Sequence, residues 1–222
     1  MSDISGESVG ESGSVLHSGT LAASGLIYDI YDFERDDSYT KFVSHEITYN
    51  KIDYTPSDLT GMIDSPSLIS EKSILLRTEA LENLVLLSED FFAEFSEPLK
   101  IVSGYRSYEY QQSIESRSPE CIRDGYCARA GHSEHQSGLA VDFFETTNEE
   151  EFLKNEKYKQ YFIWLQNNAH IYGFINSYTQ GREIDGYHIE PWHWRYVGVE
   201  FAQYLNLSGI SFSEYYQKVT TN

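Results

Sequence analysis

The sequence predicts an α+β fold in which a small central antiparallel sheet is flanked by helices within a single domain. Helical periodicity of apolar residues is strongest towards the two ends of residues 55–222, and short apolar strands lie between them. Polar turns join the strand-like segments and favour hairpin connections, as in other α+β folds. The 222 residues, 40% of them hydrophobic, are enough for one sizeable core, and the sequence contains no internal repeat.

Three parts of the chain differ in composition. Residues 1–25 contain 7 Ser and 5 Gly but no Lys or Arg, which is typical of a flexible tail. Residues 26–54 mix aromatic and acidic residues and are interpreted as an N-terminal arm whose structure the pattern does not define. Residues 55–222 carry the periodic segments and the polar motifs, and we expect them to form the domain.

The elements of this domain are predicted from apolar spacing and from capping residues. The first helix is predicted over residues 74–95, with Ser70 or Ser73 as its cap. Strands are predicted at 99–103, 139–144, 174–178 and 187–190, and a loop at 116–134. Further helices are predicted at 107–115, 147–172, 199–205 and 212–219. The helix at 147–172 is capped through Thr147 and Glu150, broken near Asn155 and stopped by Gly173, and Ser211 caps the last helix.

The chain is strongly acidic, since 35 Asp and Glu residues against 16 Lys and Arg residues give a formal net charge of −19. This charge argues against nucleic acid and anionic membranes as partners, and no apolar run is long enough to insert into a membrane. The first residues have neither the basic start nor the apolar stretch of a signal peptide. We therefore expect either a cytoplasmic protein or an exported one whose signal has been removed, and a monomer.

The two cysteines, Cys121 and Cys127, lie in a polar, turn-rich segment. Neither belongs to a pair with Cys-x-x-Cys spacing, which argues against a structural zinc site. A small disulfide loop is favoured over two free thiols, and such a bond would indicate an oxidising compartment.

Two separate motifs carry candidate metal ligands. His135 and Asp142 lie on either side of Gly138, and Glu190 and His193 follow later in the chain. A carboxylate within an apolar strand, such as Asp142, is costly to bury without a cation or hydrogen bonds. Two imidazoles and a carboxylate suit a Zn²⁺ ion that keeps one coordination position open. The motifs therefore favour a zinc peptidase over surface histidines or a histidine satisfied within an aromatic core.

Glu190 is the candidate general base. Pro191 favours extended backbone at Glu190, which can set its carboxylate beside the metal while His193 binds it. Arg106 is the candidate group for a tetrahedral oxyanion or a substrate carboxylate, although a surface salt bridge is the commoner use of arginine. His132 and His188 rank below His135 and His193, as alternative ligands or as neighbours of the ligands.

Taken together, these motifs resemble those of the VanY-type zinc D-alanyl-D-alanine carboxypeptidases, a group that also includes L,D-carboxypeptidases and distant zinc-site relatives of the hedgehog signalling domain. The resemblance covers about residues 55–218. It implies zinc on His135, Asp142 and His193, with Glu190 as the base. It also implies Arg106 at the scissile carbonyl, and Ser133 and Gln111 lining the substrate pocket. The matching residues are SGYRS at 103–107, Gln111, Ser133, His135, Gly138, Ala140, Asp142 and EPWHWRY at 190–196.

The resemblance further implies a function in the bacterial cell wall. A carboxypeptidase of this kind removes the C-terminal D-amino acid from a peptidoglycan stem peptide, outside the cytoplasm. Two alternatives stay open: an endopeptidase that cleaves within the stem, and a non-catalytic, zinc-stabilised module that binds a wall peptide or a protein partner. Glu190 favours the enzyme, because a pure binding site has no use for a base beside the metal. The motifs do not distinguish a D,D from an L,D preference.

Overall fold

The computed structural model describes residues 31–146 and 148–221. The predicted tail at residues 1–25, residues 26–30 of the predicted arm, and Thr147 of the predicted capping box lie outside these ranges. Within them, no helix is both long and apolar enough to cross a membrane. The described elements are strands β1 Leu59–Gly61, β2 Leu68–Ser70, β3 Leu75–Arg77, β4 Leu99–Ser103, β5 Ala140–Phe143, β6 Phe174–Asn176 and β7 His193–Tyr196, helices α1 Thr78–Phe95, α2 Tyr108–Arg117, α3 Pro119–Arg123, α4 Glu149–Lys154, α5 Glu156–Asn168, α6 Val199–Ser208 and α7 Phe212–Thr220, and 3₁₀ turns at Glu134–Ser137 and Ala169–Tyr172.

The central sheet has five strands in the order β2-β4-β5-β7-β6, and β1 pairs with β3 in a separate antiparallel ribbon. The pairs β4–β5, β5–β7 and β7–β6 are antiparallel, which confirms the predicted sheet. The edge strand β2 is parallel to β4. Helix α1 lies between these two strands in the chain and provides the crossover that a parallel pair requires.

Helix α1 covers one face of the sheet. Its Leu84, Leu87 and Phe91 are fully buried and belong to the same hydrophobic cluster as Val141 and Phe143 of β5. Alternate residues of a strand point to opposite faces, so Asp142, between these two core residues, points to the other face. One face of β5 therefore supports the core, and the other is free for chemistry.

The predicted first helix begins four residues too early. Residues 75–77 form strand β3, which pairs with β1, and α1 starts at Thr78 with Arg77 at its N-cap position and no side-chain cap. Ser70 and Ser73 therefore do not cap it. The apolar residues before Thr78 fit a helical period, but backbone pairing with a distant strand decides their conformation.

The strand predicted at 187–190 is wrong, because the chain enters the sheet later, at β7. Glu190 and His193 belong to a turn in which the side-chain amide of Asn176 donates to both of their carbonyl oxygens, at 2.8 and 2.6 Å. Pro191 lies inside this turn, where its missing N–H costs no sheet hydrogen bond. The polar residues between 176 and 187 therefore lead into an irregular segment rather than a second hairpin strand.

Other boundaries agree with the prediction. Strand β4 covers 99–103, Asn155 caps α5 at the predicted break, and Ser211 forms a capping box with Glu214 at the start of α7. The sequence predicts loop throughout the segment 116–134, but this segment contains the short helix α3. A five-residue helix is too short to show apolar periodicity, so spacing could not reveal it.

Residues 31–54 lie in the same compact unit as the rest of the described chain, although they contain neither helix nor strand. Phe42 stacks on Tyr216 of α7 with ring centroids 3.9 Å apart. Lys41 is 3% exposed, and its ammonium group lies 3.4 Å from a carboxylate oxygen of Asp36. We call this segment the arm, and buried side chains and aromatic contacts attach it to the domain.

The structure confirms a disulfide between Cys121 and Cys127, whose Cα atoms lie 5.2 Å apart. The closed loop, residues 121–127, begins within α3 and is attached to the segment that leads to Glu190. Tyr126 stacks on His188 with ring centroids 4.0 Å apart, and the Nε2 atom of His188 lies 3.0 Å from the carbonyl oxygen of Asp124. His188 therefore serves as a packing residue for this loop.

Replacing both Cys121 and Cys127 with serine is expected to lower the free energy of unfolding by about 2 kcal/mol, because the unfolded chain loses the constraint of a short loop. For a chain of this size the melting temperature should fall by about 4–8 °C. Thermal unfolding of the variant and the wild type, each with and without a reducing agent, checks this. An equal melting temperature for the oxidised wild type and the variant would contradict it.

Candidate metal centre

Strand register brings two of the predicted ligands together. In the antiparallel pair of β5 and β7, Asp142 lies directly opposite His193, and directly opposed side chains share a face of the sheet. The Nδ1 atom of His193 lies 3.1 Å from the Oδ1 atom of Asp142, although 51 positions separate the residues in sequence. The sheet itself therefore sets this contact.

His135 reaches the same point from the 3₁₀ turn Glu134–Ser137. The turn ends at Gly138 with a φ of +67°, and a Cβ atom there would lie 2.7 Å from a methyl group of Leu59. Glycine thus allows the close approach that turns the chain into β5. The Nε2 atom of His135 lies 3.3 Å from the Oδ1 atom of Asp142.

Hydrogen bonding fixes which nitrogen of His135 faces Asp142. Its Nδ1 atom lies 2.7 Å from the carbonyl oxygen of Gly104, which can only accept, so Nδ1 carries the proton and Nε2 the lone pair. Gly104 is itself tightly packed, because a Cβ atom there would lie 2.8 Å from the carbonyl oxygen of Leu75. The backbone of the SGYRS motif therefore orients His135.

His135, Asp142 and His193 form one buried cluster whose candidate ligand atoms all lie within 4.8 Å of one another. Two imidazole nitrogens and a carboxylate oxygen are the donor set of a catalytic zinc site, in which the fourth position stays open. The two histidines present different nitrogens, Nε2 from His135 and Nδ1 from His193. The residues present therefore fit a single zinc ion.

The electrostatics of the cluster favour a bound cation. Burial would raise the pKa of Asp142, but His135, His193 and Arg106 outweigh it and hold that pKa well below its usual value. Burial lowers the pKa of His135 to about 4, with Arg106 acting in the same direction. Burial opposes protonation of His193 as well, yet its hydrogen bonds to Asp142 and Glu134 raise its pKa to about 10. The ionised carboxylate of Asp142 thus faces the neutral imidazole of His135, and the two carboxylates beside His193 favour a positive charge at its ring, either a proton or a bound cation.

Arg106 lies on the cleft side of the cluster. Its Nη2 atom donates to the Oδ2 atom of Asp142 at 2.7 Å, and its Nε atom donates to Ser103 at 3.0 Å. This leaves the Oδ1 atom of Asp142 facing the two histidines. A guanidinium group has five N–H donors, so Arg106 has donors left for a ligand in the cleft.

Glu190 lines the same cleft as His135, Asp142 and His193, at the turn that precedes β7. Burial of its carboxyl group, together with the nearby charges of Asp142 and Glu134, raises its pKa to about 7, while His193 and Arg106 oppose the shift. A carboxyl group with such a pKa can both accept and release a proton near neutral pH.

Ser133 and Gln111 also line this cleft, which has a volume of about 780 Å³. The side-chain amide of Gln111 donates to the carbonyl oxygen of Ala128 at 2.6 Å. Its buried Oε1 atom has no hydrogen-bond partner among the described residues, so it can accept an N–H group from a ligand. The backbone carbonyl of Ser133 accepts a hydrogen bond from Tyr49 of the arm at 3.0 Å.

His132 and His188 lie outside the ligand cluster. The Nδ1 atom of His132 lies 2.8 Å from the carbonyl oxygen of Ser44, and His188 stacks on Tyr126 as described above. Two residues of the site were not singled out from the sequence. Glu134 contacts the far side of His193, and Arg195 lies against Glu134.

Metallopeptidases with a single zinc ion keep three protein ligands, an open coordination position and a separate general base in one cleft. The fold and the ligand cluster of this protein are those of this class of enzyme. Comparison with known proteins narrows the class to one family. A family model described as D-alanyl-D-alanine carboxypeptidase, VanY, matches residues 73–199. The chain belongs to the VanY family.

Relatives of known sequence support this membership. The chain is 36% identical over 181 residues to YodJ of Bacillus subtilis, a protein assigned as a carboxypeptidase, with 75% of this chain and 63% of YodJ covered. It is 37% identical over 129 residues to a D-alanyl-D-alanine carboxypeptidase of Enterococcus faecalis, with 52% of this chain and 46% of the relative covered. The match thus spans less than two thirds of each relative's length.

Solved structures share the fold. The LD-carboxypeptidase LdcB superposes with a TM-score of 0.68 at 31% identity, over 82% of this chain and 87% of LdcB. A VanY D,D-pentapeptidase solved with Zn(II) gives a TM-score of 0.58 at 26% identity, over 78% of this chain and 96% of the other. VanYB in complex with D-alanine-D-alanine gives 0.59 at 26% identity, over 79% and 96%.

Proposed function

We propose that this protein is a zinc-dependent carboxypeptidase that removes the C-terminal D-alanine from peptidoglycan stem peptides. The observation that carries the proposal is the buried cluster of His135, Asp142 and His193, with Glu190 and Arg106 in the same cleft. Membership of the VanY family supports the reaction and the D-alanyl substrate. The Zn(II) and D-alanine-D-alanine complexes of VanY relatives support the metal and the ligand class.

The zinc ion would be held by Nε2 of His135, Oδ1 of Asp142 and Nδ1 of His193. When bound, zinc supplies Lewis acidity, which acidifies water and polarises a carbonyl oxygen. The ordered hydrogen bonds to Gly104 and Arg106 keep two of these ligands in place. Arg106 lies on the cleft side of the cluster, where it would also face a bound substrate.

Glu190 would act as the general base and then as the general acid. Its carboxylate accepts a proton from the attacking water and later delivers it to the leaving amine. A pKa of about 7 suits both steps, because the group is a stronger base than an ordinary carboxylate and still ionises near neutral pH. Glu190 and Glu145 are the described carboxylates that line the cleft outside the proposed ligand set, and Glu190 belongs to the turn that also carries His193.

Arg106 would bind the substrate next to the scissile bond. Its planar donors match a developing oxyanion and a C-terminal carboxylate alike. Lys72 lines the same cleft, so two cations face a ligand in a chain whose net charge is −19. Such local basic groups are what an acidic protein needs to hold an anionic peptide terminus.

An extracytoplasmic location follows from the proposed substrate. The disulfide between Cys121 and Cys127 supports it, because such bonds persist in oxidising compartments. The described residues include no helix that crosses a membrane. We propose action at the cell wall as a monomer.

Mass spectrometry of stem tetrapeptides and pentapeptides after incubation with the zinc-loaded protein tests this function. We expect loss of a single C-terminal D-alanine, and no loss after chelation of the metal or from a pentapeptide ending in L-alanine. Fragments from within the stem would instead identify an endopeptidase. Binding of the peptides without cleavage would identify a non-catalytic module.

A further inference from the structure

Glu134 is a buried carboxylate with a direct contact to the metal centre. It is 2% exposed, and its Oε2 atom lies 2.8 Å from the Nε2 atom of His193. Its Oε1 atom lies 3.4 Å from the Nη1 atom of Arg195. An isolated charge in this position would be costly, so these two partners account for its burial.

The imidazole of His193 lies between two carboxylates. Its Nε2 atom faces Glu134 and its Nδ1 atom faces Asp142, while the ring of Tyr178 stacks on it with centroids 4.6 Å apart. A neutral imidazole has one N–H donor and one lone pair. Both carboxylates only accept, so each could take a proton from the ring. A zinc ion held together with Asp142 and His135 would need the lone pair of Nδ1, and the one ring proton would then lie on Nε2, where Glu134 accepts it.

We propose that Glu134 is a positioning residue of the metal centre, which holds the ring of His193 so that Nδ1 is its metal-binding atom. The inference rests on the proposed function to the extent that His193 is a zinc ligand. Partners of this kind fix the tautomer and the orientation of a metal-binding histidine and increase its basicity. Glu134 thus acts through His193 and does not contact the substrate.

Arg195 links this contact to the arm. It follows His193 by two positions on β7, so both side chains lie on the same face of the strand. Arg195 is fully buried, and its Nη2 atom donates to the carbonyl oxygens of Tyr39 at 3.2 Å and Lys41 at 3.1 Å. Backbone carbonyl groups of the arm thus accept hydrogen bonds from Arg195. Arg195 in turn forms an ion pair with Glu134, and Glu134 contacts the imidazole of His193.

The fixed charge of Arg195 completes this arrangement. The cationic guanidinium group of Arg195 places its Nη1 atom 3.4 Å from the Oε1 atom of Glu134, and a cation at this distance favours the ionised form of a buried carboxyl group. Glu134 therefore remains an acceptor for the Nε2 proton. The backbone of the arm contributes no metal ligand, but it helps to position His193 through Arg195 and Glu134.

Zinc affinity of the variants Glu134→Gln and Glu134→Ala, measured by competition with a chromogenic chelator, tests the proposal. We expect Glu134→Gln to bind zinc about 10- to 100-fold more weakly than the wild type. Glu134→Ala should lose more, because glutamine keeps an oxygen that accepts from Nε2 and so restores part of the affinity. If the alanine variant does not fold, the isosteric glutamine variant carries the test.

Asp185→Asn is the matched control. Asp185 is also 2% exposed, but its carboxylate accepts from the backbone N–H groups of Gln180 and Gly181, and no described hydrogen bond or ion pair joins it to the cluster. This variant should be destabilised without loss of zinc affinity. Wild-type zinc affinity in Glu134→Gln, or an equal loss in Asp185→Asn, would overturn the proposal.

Zinc affinity and peptide cleavage are separate measurements, so failure of this inference can be distinguished from failure of the proposed function. A wild type that binds zinc tightly but releases no D-alanine contradicts the proposed reaction and leaves the role of Glu134 to be decided by the affinities alone. A wild type that does not bind zinc overturns both. Retained zinc affinity in Glu134→Gln, together with normal peptide cleavage, overturns only the positioning role.

Discussion

Replacement of Glu190 with glutamine is expected to lower kcat on a stem pentapeptide by about 10²- to 10⁴-fold, the usual contribution of a general acid–base group. Glutamine has nearly the same size but cannot accept the proton of the attacking water or deliver it to the leaving amine. Zinc content should not change, because Glu190 is not among the clustered ligand atoms. Peptide affinity should also persist, since Arg106 is untouched.

Steady-state kinetics, zinc analysis and peptide titration of Glu190→Gln give these three quantities. Asp185→Asn is again the control, because it removes a buried carboxylate from the same segment without contact to the cleft. Arg106→Ala offers a contrast, since it should weaken both peptide binding and turnover. Near-normal turnover in Glu190→Gln would falsify the assignment of the base.

Replacement of His193 with alanine is expected to cost more zinc affinity than any change outside the ligand set, so by more than about 100-fold. It should also lower stability by about 3–5 kcal/mol, because Glu134 and Asp142 would remain buried without the imidazole between them. Zinc at 100 times its dissociation constant stabilises a folded protein by about 2.7 kcal/mol. The wild type should show this stabilisation, whereas His193→Ala should not.

Metal analysis and thermal unfolding with and without added zinc measure both effects. His132→Ala is the matched control, because His132 is also buried and bonded to a backbone carbonyl but lies outside the cluster. This control should melt earlier than the wild type and still gain stability from zinc. A normal zinc response in His193→Ala would remove His193 from the ligand set.

Some parts of the fold and the site could be predicted because their signals are local. Strand β5 is apolar except for Asp142, and a buried carboxylate in such a strand is itself a sign of a cation or of several hydrogen bonds. Gly138 and Pro191 mark the turns beside His135 and His193. The capping box of Ser211 and Glu214 defines the start of α7 within four residues of sequence.

The misassigned parts depend on contacts between distant residues. Residues 75–77 became strand β3 because β1 pairs with them, and the segment 187–190 stayed irregular because Asn176 holds the turn that follows it. The spacing of apolar residues predicts neither the pairing with β1 nor the contact with Asn176. Sequence-based prediction is therefore weakest at strand boundaries, which depend on partners that are distant in sequence.

Glu134 and Arg195 illustrate the same limit within the site. Glu134 directly precedes the candidate ligand His135 in a polar segment, and Arg195 lies between two aromatic residues two positions after His193. A charged residue between aromatic residues could have indicated a buried charge, but not its partner. Their meeting requires the register of β5 with β7 and the path of the arm, since Arg195 pairs with Ala140 and binds carbonyl groups of the arm. The role of the arm could not be read from a composition of aromatic and acidic residues.

The register of β5 with β7 also makes metal uptake a test of correct folding. A slip of β7 by one residue would set Trp194 opposite Asp142 and turn His193 towards the core, because successive side chains of a strand point to opposite faces. Such a chain could still collapse around its apolar residues, yet it would lack one of the three ligand atoms. In a refolded or recombinant preparation, the fraction of molecules that bind zinc at this centre therefore counts the molecules whose two strands have paired correctly.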